Sequence, residues 1–84
     1  MILEFALQMQ RKMQLNSHKN GWEHLSNKHL LKRLRQEVIE LEKILESKDS
    51  VAPQDIAYEC ADIANFAMMI FDNNCESLNE AMYK

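Results

Sequence analysis

An all-α fold is what this sequence predicts, and three observations carry the prediction. Gly and Pro occur once each among 84 residues, too few for a turn-rich β architecture. Apolar residues recur at three- and four-residue spacing between Lys28 and Ser47, the signature of an amphipathic helix. The stretch from Ile56 to Asn73 holds helix formers and apolar residues with no breaker among them. The expected architecture is an antiparallel helix hairpin preceded by an N-terminal helix. A chain this short, read as a single domain over 1–84, has a marginal core of its own. The apolar breadth of the stretch from Ile56 to Asn73 favours a four-helix-type bundle completed by oligomerisation.

The first helix spans Ile2 to Met13, with Leu3, Leu7 and Met13 on one face and Phe5 and Met9 beside it. Asn16 to Asn27 reads as a connection, and Gly21 supplies a turn with positive φ. Ser26 is a good N-cap for the second helix, which presents Leu30, Leu31, Leu34, Val38, Leu41 and Leu45. Lys48 to Ala52 is a short polar link. Pro53 suits the first turn of the third helix, and Asp55 follows near the positive end of its dipole. Winding at 100° per residue puts Ile56, Cys60, Ile63, Phe66, Ala67, Ile70 and Phe71 on one broad stripe. Asn73 and Asn74 end the helix, and Cys75 to Tyr83 forms a short last one.

Charge and cysteine usage narrow the function classes. A net charge of −3 lacks the basic excess of a protein that grips a nucleic-acid polymer. Two cysteines, Cys60 and Cys75, make neither a disulfide framework nor a zinc motif, and they read as reduced thiols in a cytoplasmic setting. The longest apolar run, Phe66 to Phe71, is too short to span a bilayer, so no membrane partner is expected. Met1 to Leu7 contains Glu4 and has no basic leader, unlike a signal peptide.

Two acidic pairs stand out, Glu37-x-x-Glu40 and Glu59-x-x-Asp62, each at the spacing that shares a helix face. Glu59 falls inside the apolar stripe and Asp62 at its edge, where a carboxylate needs a partner. In an antiparallel hairpin Glu40 and Glu59 lie about 10 Å and about 9 Å from the turn. Glu37 and Asp62 lie at about 15 Å and about 13 Å. Four carboxylates at matching heights repel unless neutralised, and a hard divalent cation is the partner that fits, Mg²⁺ before Mn²⁺. Such an ion is the usual equipment for hydrolysing a phosphoanhydride.

These residues resemble the signature of the all-α MazG-like nucleoside triphosphate pyrophosphohydrolases, in its small phage-type branch. The pattern is Glu-x-x-Glu, eighteen intervening residues, then Glu-x-x-Asp. His-Lys-Asn-Gly-Trp at 18–22 is similar to the Lys-Gly-Gly-Trp element before the first acidic pair, with Asn20 in place of its first glycine. Leu-Arg-Gln-Glu-Val-Ile-Glu-Leu-Glu at 34–42 and the run from Glu59 to Ile70 also look like that branch. The resemblance covers about Phe5 to Asn74. It implies hydrolysis of a nucleoside triphosphate to monophosphate and pyrophosphate, with Glu37, Glu40, Glu59 and Asp62 as Mg²⁺ ligands. It also implies a homodimer or tetramer, and a housekeeping role in a nucleotide pool, for the phage-type branch in a host cytoplasm. Asn65, one turn beyond Asp62, is placed to hydrogen-bond substrate or orient a ligand.

Other residues admit plainer readings. Lys19 is either a phosphate-binding point charge or a solvated loop lysine. Trp22 is a lid over the hairpin, a stacking platform for a base, or both. Arg33 balances the nearby acids. His18, His24 and His29 lack a metal-ligand spacing, with His18 a minor candidate for the substrate rim. Cys60 packs as a small apolar residue, and Met68 and Met69 belong to core or subunit interface. No Ser has a His and acid partner for nucleophilic catalysis. The competing functional class is a non-catalytic helical module that binds a protein partner or a nucleotide without turnover.

Overall fold

The computed structural model describes residues 1–15 and 21–75. Three helices account for most of them: α1 (Ile2–Leu15), α2 (Asn27–Glu46) and α3 (Pro53–Asn74), with no strand among the described residues. None of the described helices is long and apolar enough to cross a membrane. Lys19, His18 and the part of the expected last helix beyond Cys75 lie outside the described residues.

Local chemistry sets the helix ends. Ser26 is extended, and its Oγ accepts from the His29 amide at 3.1 Å, satisfying one orphan donor of α2. Gly21 sits at φ +85°, where a side chain would be strained although the space around it is open enough for a Cβ. Pro53 occupies the first turn of α3, and Asp55 lies in the same turn. At the other end the Cys75 amide donates to the Phe71 carbonyl, closing the last turn.

α3 is the central element, packed by α2 on one side and α1 on the other. The α2–α3 hairpin is antiparallel. Asn27 and Asn74 exchange side-chain amide hydrogen bonds at 3.0 and 2.7 Å near its open end. Midway along it, Arg33 lies over the Phe66 ring. Leu30 is fully buried at this seam, worth about 1.5–3 kcal/mol by transfer. Leu34, Val38 and Leu41 are half-buried behind it, whereas Leu31 and Leu45 face outward.

The buried line of α3 differs from the expected stripe. Ala61 and Asn65 are its buried residues, while Ala67 and Phe71 are exposed, roughly 120° round the helix. Small Ala61 lets neighbouring backbones approach, and the flanking helices claim that side; of the expected stripe, Ile56, Cys60, Ile63, Phe66 and Ile70 are half-buried. α1 shows the same displacement. Leu3 and Leu7 of its expected face are exposed while Met13 of that face is half-buried, as are Met9 and Lys12.

Candidate functional site

Three of the four sequence-derived acids meet. Glu37 from α2 and Glu59 and Asp62 from α3 each offer a carboxylate oxygen, and these atoms lie within 4.8 Å of one another. Antiparallel packing brings them to one level, and the i, i+3 spacing of Glu59 and Asp62 points both into the groove. Glu40 is apart from them. Its side chain is 54% exposed and paired with Lys43 at 3.7 Å, whereas that of Glu37 is 15% exposed. One turn on from Glu37 the helix face has rotated toward solvent.

Burial and mutual repulsion leave their mark on protonation. Burial, then a hydrogen bond and the charge of Glu37, then the charges of Asp62 and Glu40, push the Glu59 carboxyl up to about 7. Its Oε2 is buried with no hydrogen-bond partner among the described residues. Burial also raises Asp62, an effect opposed by the charge and hydrogen bond of Lys12 and by Arg33. Lys12, which the spacing of acidic residues gave no reason to single out, reaches from α1 to Asp62 Oδ2 at 3.3 Å. Its Nζ also stands 5.1 Å from the centre of the Tyr58 ring. Arg33 contacts Glu37 at 3.6 Å and donates to Gln36 Oε1 at 2.6 Å.

Two of the three acids line a cleft of about 330 Å³. Glu37 and Asp62 are on its wall, with Lys12 and Arg33 beside them and Trp22 and Phe66 among its apolar groups. Trp22 is held firmly: its Nε1 donates to Asp72 Oδ2 at 3.0 Å, and its carbonyl accepts from Asn73 Nδ2 at 2.9 Å. The two asparagines that end α3 thus have a second task, since Asn73 fixes Trp22 and Asn74 ties α3 to α2. Asn65, 4% exposed, also borders the cleft. Its Nδ2 donates to the Met9 carbonyl at 3.0 Å, which fixes the amide orientation because a carbonyl can only accept. Asn65 Oδ1 is consequently a buried acceptor with no partner among the described residues.

The donor set fits a hard divalent ion. All three ligands are carboxylate oxygens, and one of them keeps an orphaned buried oxygen that a cation would satisfy. Oxygens around one octahedral Mg²⁺ at about 2.1 Å lie at most about 4.2 Å apart. Only one pair of three ligands can be opposite; adjacent oxygens lie about 3.0 Å apart, so the carboxylates, now within 4.8 Å of one another, draw in by up to about 2 Å. No protein-family model, curated protein or solved structure matches the chain.

Proposed function

We propose that this chain is a Mg²⁺-dependent nucleoside triphosphate pyrophosphohydrolase of the MazG-like kind. The observation that carries the reading is the convergence of Glu37, Glu59 and Asp62 from two helices beside a cleft that also presents two cations and two aromatic rings. Glu37, Glu59 and Asp62 would hold the ion, and Glu40, at the height of Glu59, joins them by turning its side chain inward. Mn²⁺ suits the same oxygens. Bound there, the ion supplies charge neutralisation and Lewis-acid polarisation of a phosphate oxygen.

The remaining chemistry falls to the chain's own side chains. Arg33 and Lys12 offer donors for phosphate oxygens, and Lys19 adds a further positive charge from the preceding connection. Trp22 and Phe66 give a base an apolar wall on which to stack, and Asn65 Oδ1 is an acceptor for an N–H of the ligand. Water attacks the α-phosphorus; a new P–O bond forms as the bond to the β-phosphate bridge breaks, leaving nucleoside monophosphate and pyrophosphate. A carboxylate of the cluster would accept the proton that water loses.

Self-association belongs to the same proposal. Cys60, Ala67 and Phe71 leave an apolar face on α3 that a second copy would cover, giving a four-helix bundle as homodimer or tetramer. Action on free nucleotides in a cytoplasm accords with the acidic net charge and the two free cysteines. Incubation with a panel of ribo- and deoxyribonucleoside triphosphates tests the reading. Equimolar monophosphate and pyrophosphate are expected only with divalent metal. Binding of nucleotide and metal with no product over long incubation points instead to a binding module, and no binding at all to a helical interaction protein.

A further inference from the structure

The two cations of the cleft are bound to the same carboxylates that a metal ion would need. Lys12 Nζ sits 3.3 Å from Asp62 Oδ2, with both side chains about four-fifths buried. Arg33 Nη2 sits 3.6 Å from Glu37 Oε1. Each cation also stands over a ring of α3, Lys12 at 5.1 Å from the centre of Tyr58 and Arg33 at 5.4 Å from that of Phe66. So α3 carries both rings and Asp62, α1 sends Lys12 to that acid, and Arg33 pairs with Glu37 of its own helix while reaching over a ring of α3. The third acid, Glu59, is in neither of these ion pairs.

A divalent ion, an ammonium and a guanidinium together bring four positive charges to three carboxylates. They also compete for the same oxygen lone pairs, so ion binding and the two pairs oppose each other. Both cations are on long, rotatable stems and both line the cleft. Turned away from the acids, they face the space that a phosphate chain would enter. We propose that Lys12 and Arg33 are exchangeable counter-ions. They hold Asp62 and Glu37 until a divalent ion takes those oxygens, and then become the phosphate-binding groups for the substrate. The proposal rests on the metal-dependent reading above and deepens it. It makes uptake of metal the step that creates the anion site, and it assigns polyphosphate as the ligand class that this site prefers.

The prediction has two opposite signs, which a merely structural ion pair would not give. The full chain, stripped of divalent ions by chelation, is titrated calorimetrically with Mg²⁺ alone and then with inorganic tripolyphosphate in saturating Mg²⁺. Lys12→Met keeps the apolar stem over Tyr58 and removes the charge. It is expected to bind Mg²⁺ about three- to fivefold more tightly than wild type. It is also expected to bind tripolyphosphate about tenfold more weakly. Lys12→Arg is expected to restore tripolyphosphate binding. Arg33→Met repeats the experiment from α2 should the first variant lose its helical circular dichroism. Mg²⁺ affinity that is unchanged or weaker in the folded charge-removal variants, or tripolyphosphate affinity that does not fall, overturns the exchange. The wild-type titration separates the two levels of failure. Normal Mg²⁺ and tripolyphosphate uptake by wild type with no response to the substitutions sinks the exchange alone, and no Mg²⁺ uptake by wild type sinks the metal-dependent reading with it.

Discussion

The two acidic pairs have the same spacing and different surroundings. On α3 both Glu59 and Asp62 are half-buried, because α2 and α1 cover that helix from two sides. On α2, packed chiefly against α3 alone, Glu37 is turned inward while Glu40 is exposed beside Lys43. A three-residue step shares a helix face only to within about 60°, so the pair that is flanked by one neighbour is split by it. Spacing nominates ligands; the number of packed neighbours decides which are desolvated and hence perturbed.

The largest effects are expected where that desolvation is greatest. Asp62→Asn or Glu59→Gln should lower metal-dependent pyrophosphate release by at least about a hundredfold while the helical circular dichroism is kept. Glu59→Gln should at the same time raise the melting temperature of chelator-treated protein, because it removes a buried acid surrounded by like charges. Loss of activity with gain of stability is the combination that marks a functional site. Glu40→Gln should cost about tenfold in turnover, with a stability change below about 0.5 kcal/mol. Equal losses for Glu40 and Glu59 would mean that the two pairs are equivalent once substrate is bound.

A smaller effect concerns pH. In the folded chain Glu59 keeps its proton up to about 7, against an ordinary value of 4.5, so between those values the folded state binds more protons than the unfolded one. Its contribution to stability is fully present below about 4.5 and is lost as pH rises through about 7; Asp62, also raised, acts in the same direction. Chelator-treated protein should therefore melt about 5 °C lower at about pH 8 than at about pH 5. Saturating Mg²⁺ should remove most of that difference, because the ion stabilises the deprotonated acids. The smallest effect belongs to a position away from both pairs. Ser26→Ala removes the cap of α2 and should cost about 1 kcal/mol in thermal or urea denaturation, leaving Mg²⁺ affinity unchanged.

Helix existence and ends were readable from local chemistry. Ser26, Gly21 and Pro53 each do what their residue types favour, and those preferences act within a few residues. Helix rise and the short connection predict a common level for Glu37, Glu59 and Asp62, which do meet, but they do not tell which acids face inward, and Glu40 is left out. The buried side of α3 was not. Apolar periodicity pointed to Ile56, Cys60, Ile63, Phe66, Ala67, Ile70 and Phe71, of which Ala67 and Phe71 are exposed and the rest half-buried. Ala61 and Asn65 are the buried residues, because periodicity does not say which side of a broadly apolar helix its neighbours take. Lys12 was illegible for a similar reason. A lysine near the end of an amphipathic helix looks solvated until the position of α1 against α3 is known. Asp72 and Asn73, which hold Trp22, lie fifty and fifty-one residues from it, and no local pattern links them.

Calorimetric titration of chelator-treated wild-type protein with Mg²⁺, beside Glu59→Gln and Asp62→Asn, puts the metal centre to its most direct test. A cluster built by Glu37, Glu59 and Asp62 predicts saturable uptake of divalent ion by wild type, with proton release near pH 6.5, and loss of that uptake in both folded variants. Absence of saturable binding by wild type, or binding that both substitutions leave unaltered, would contradict it.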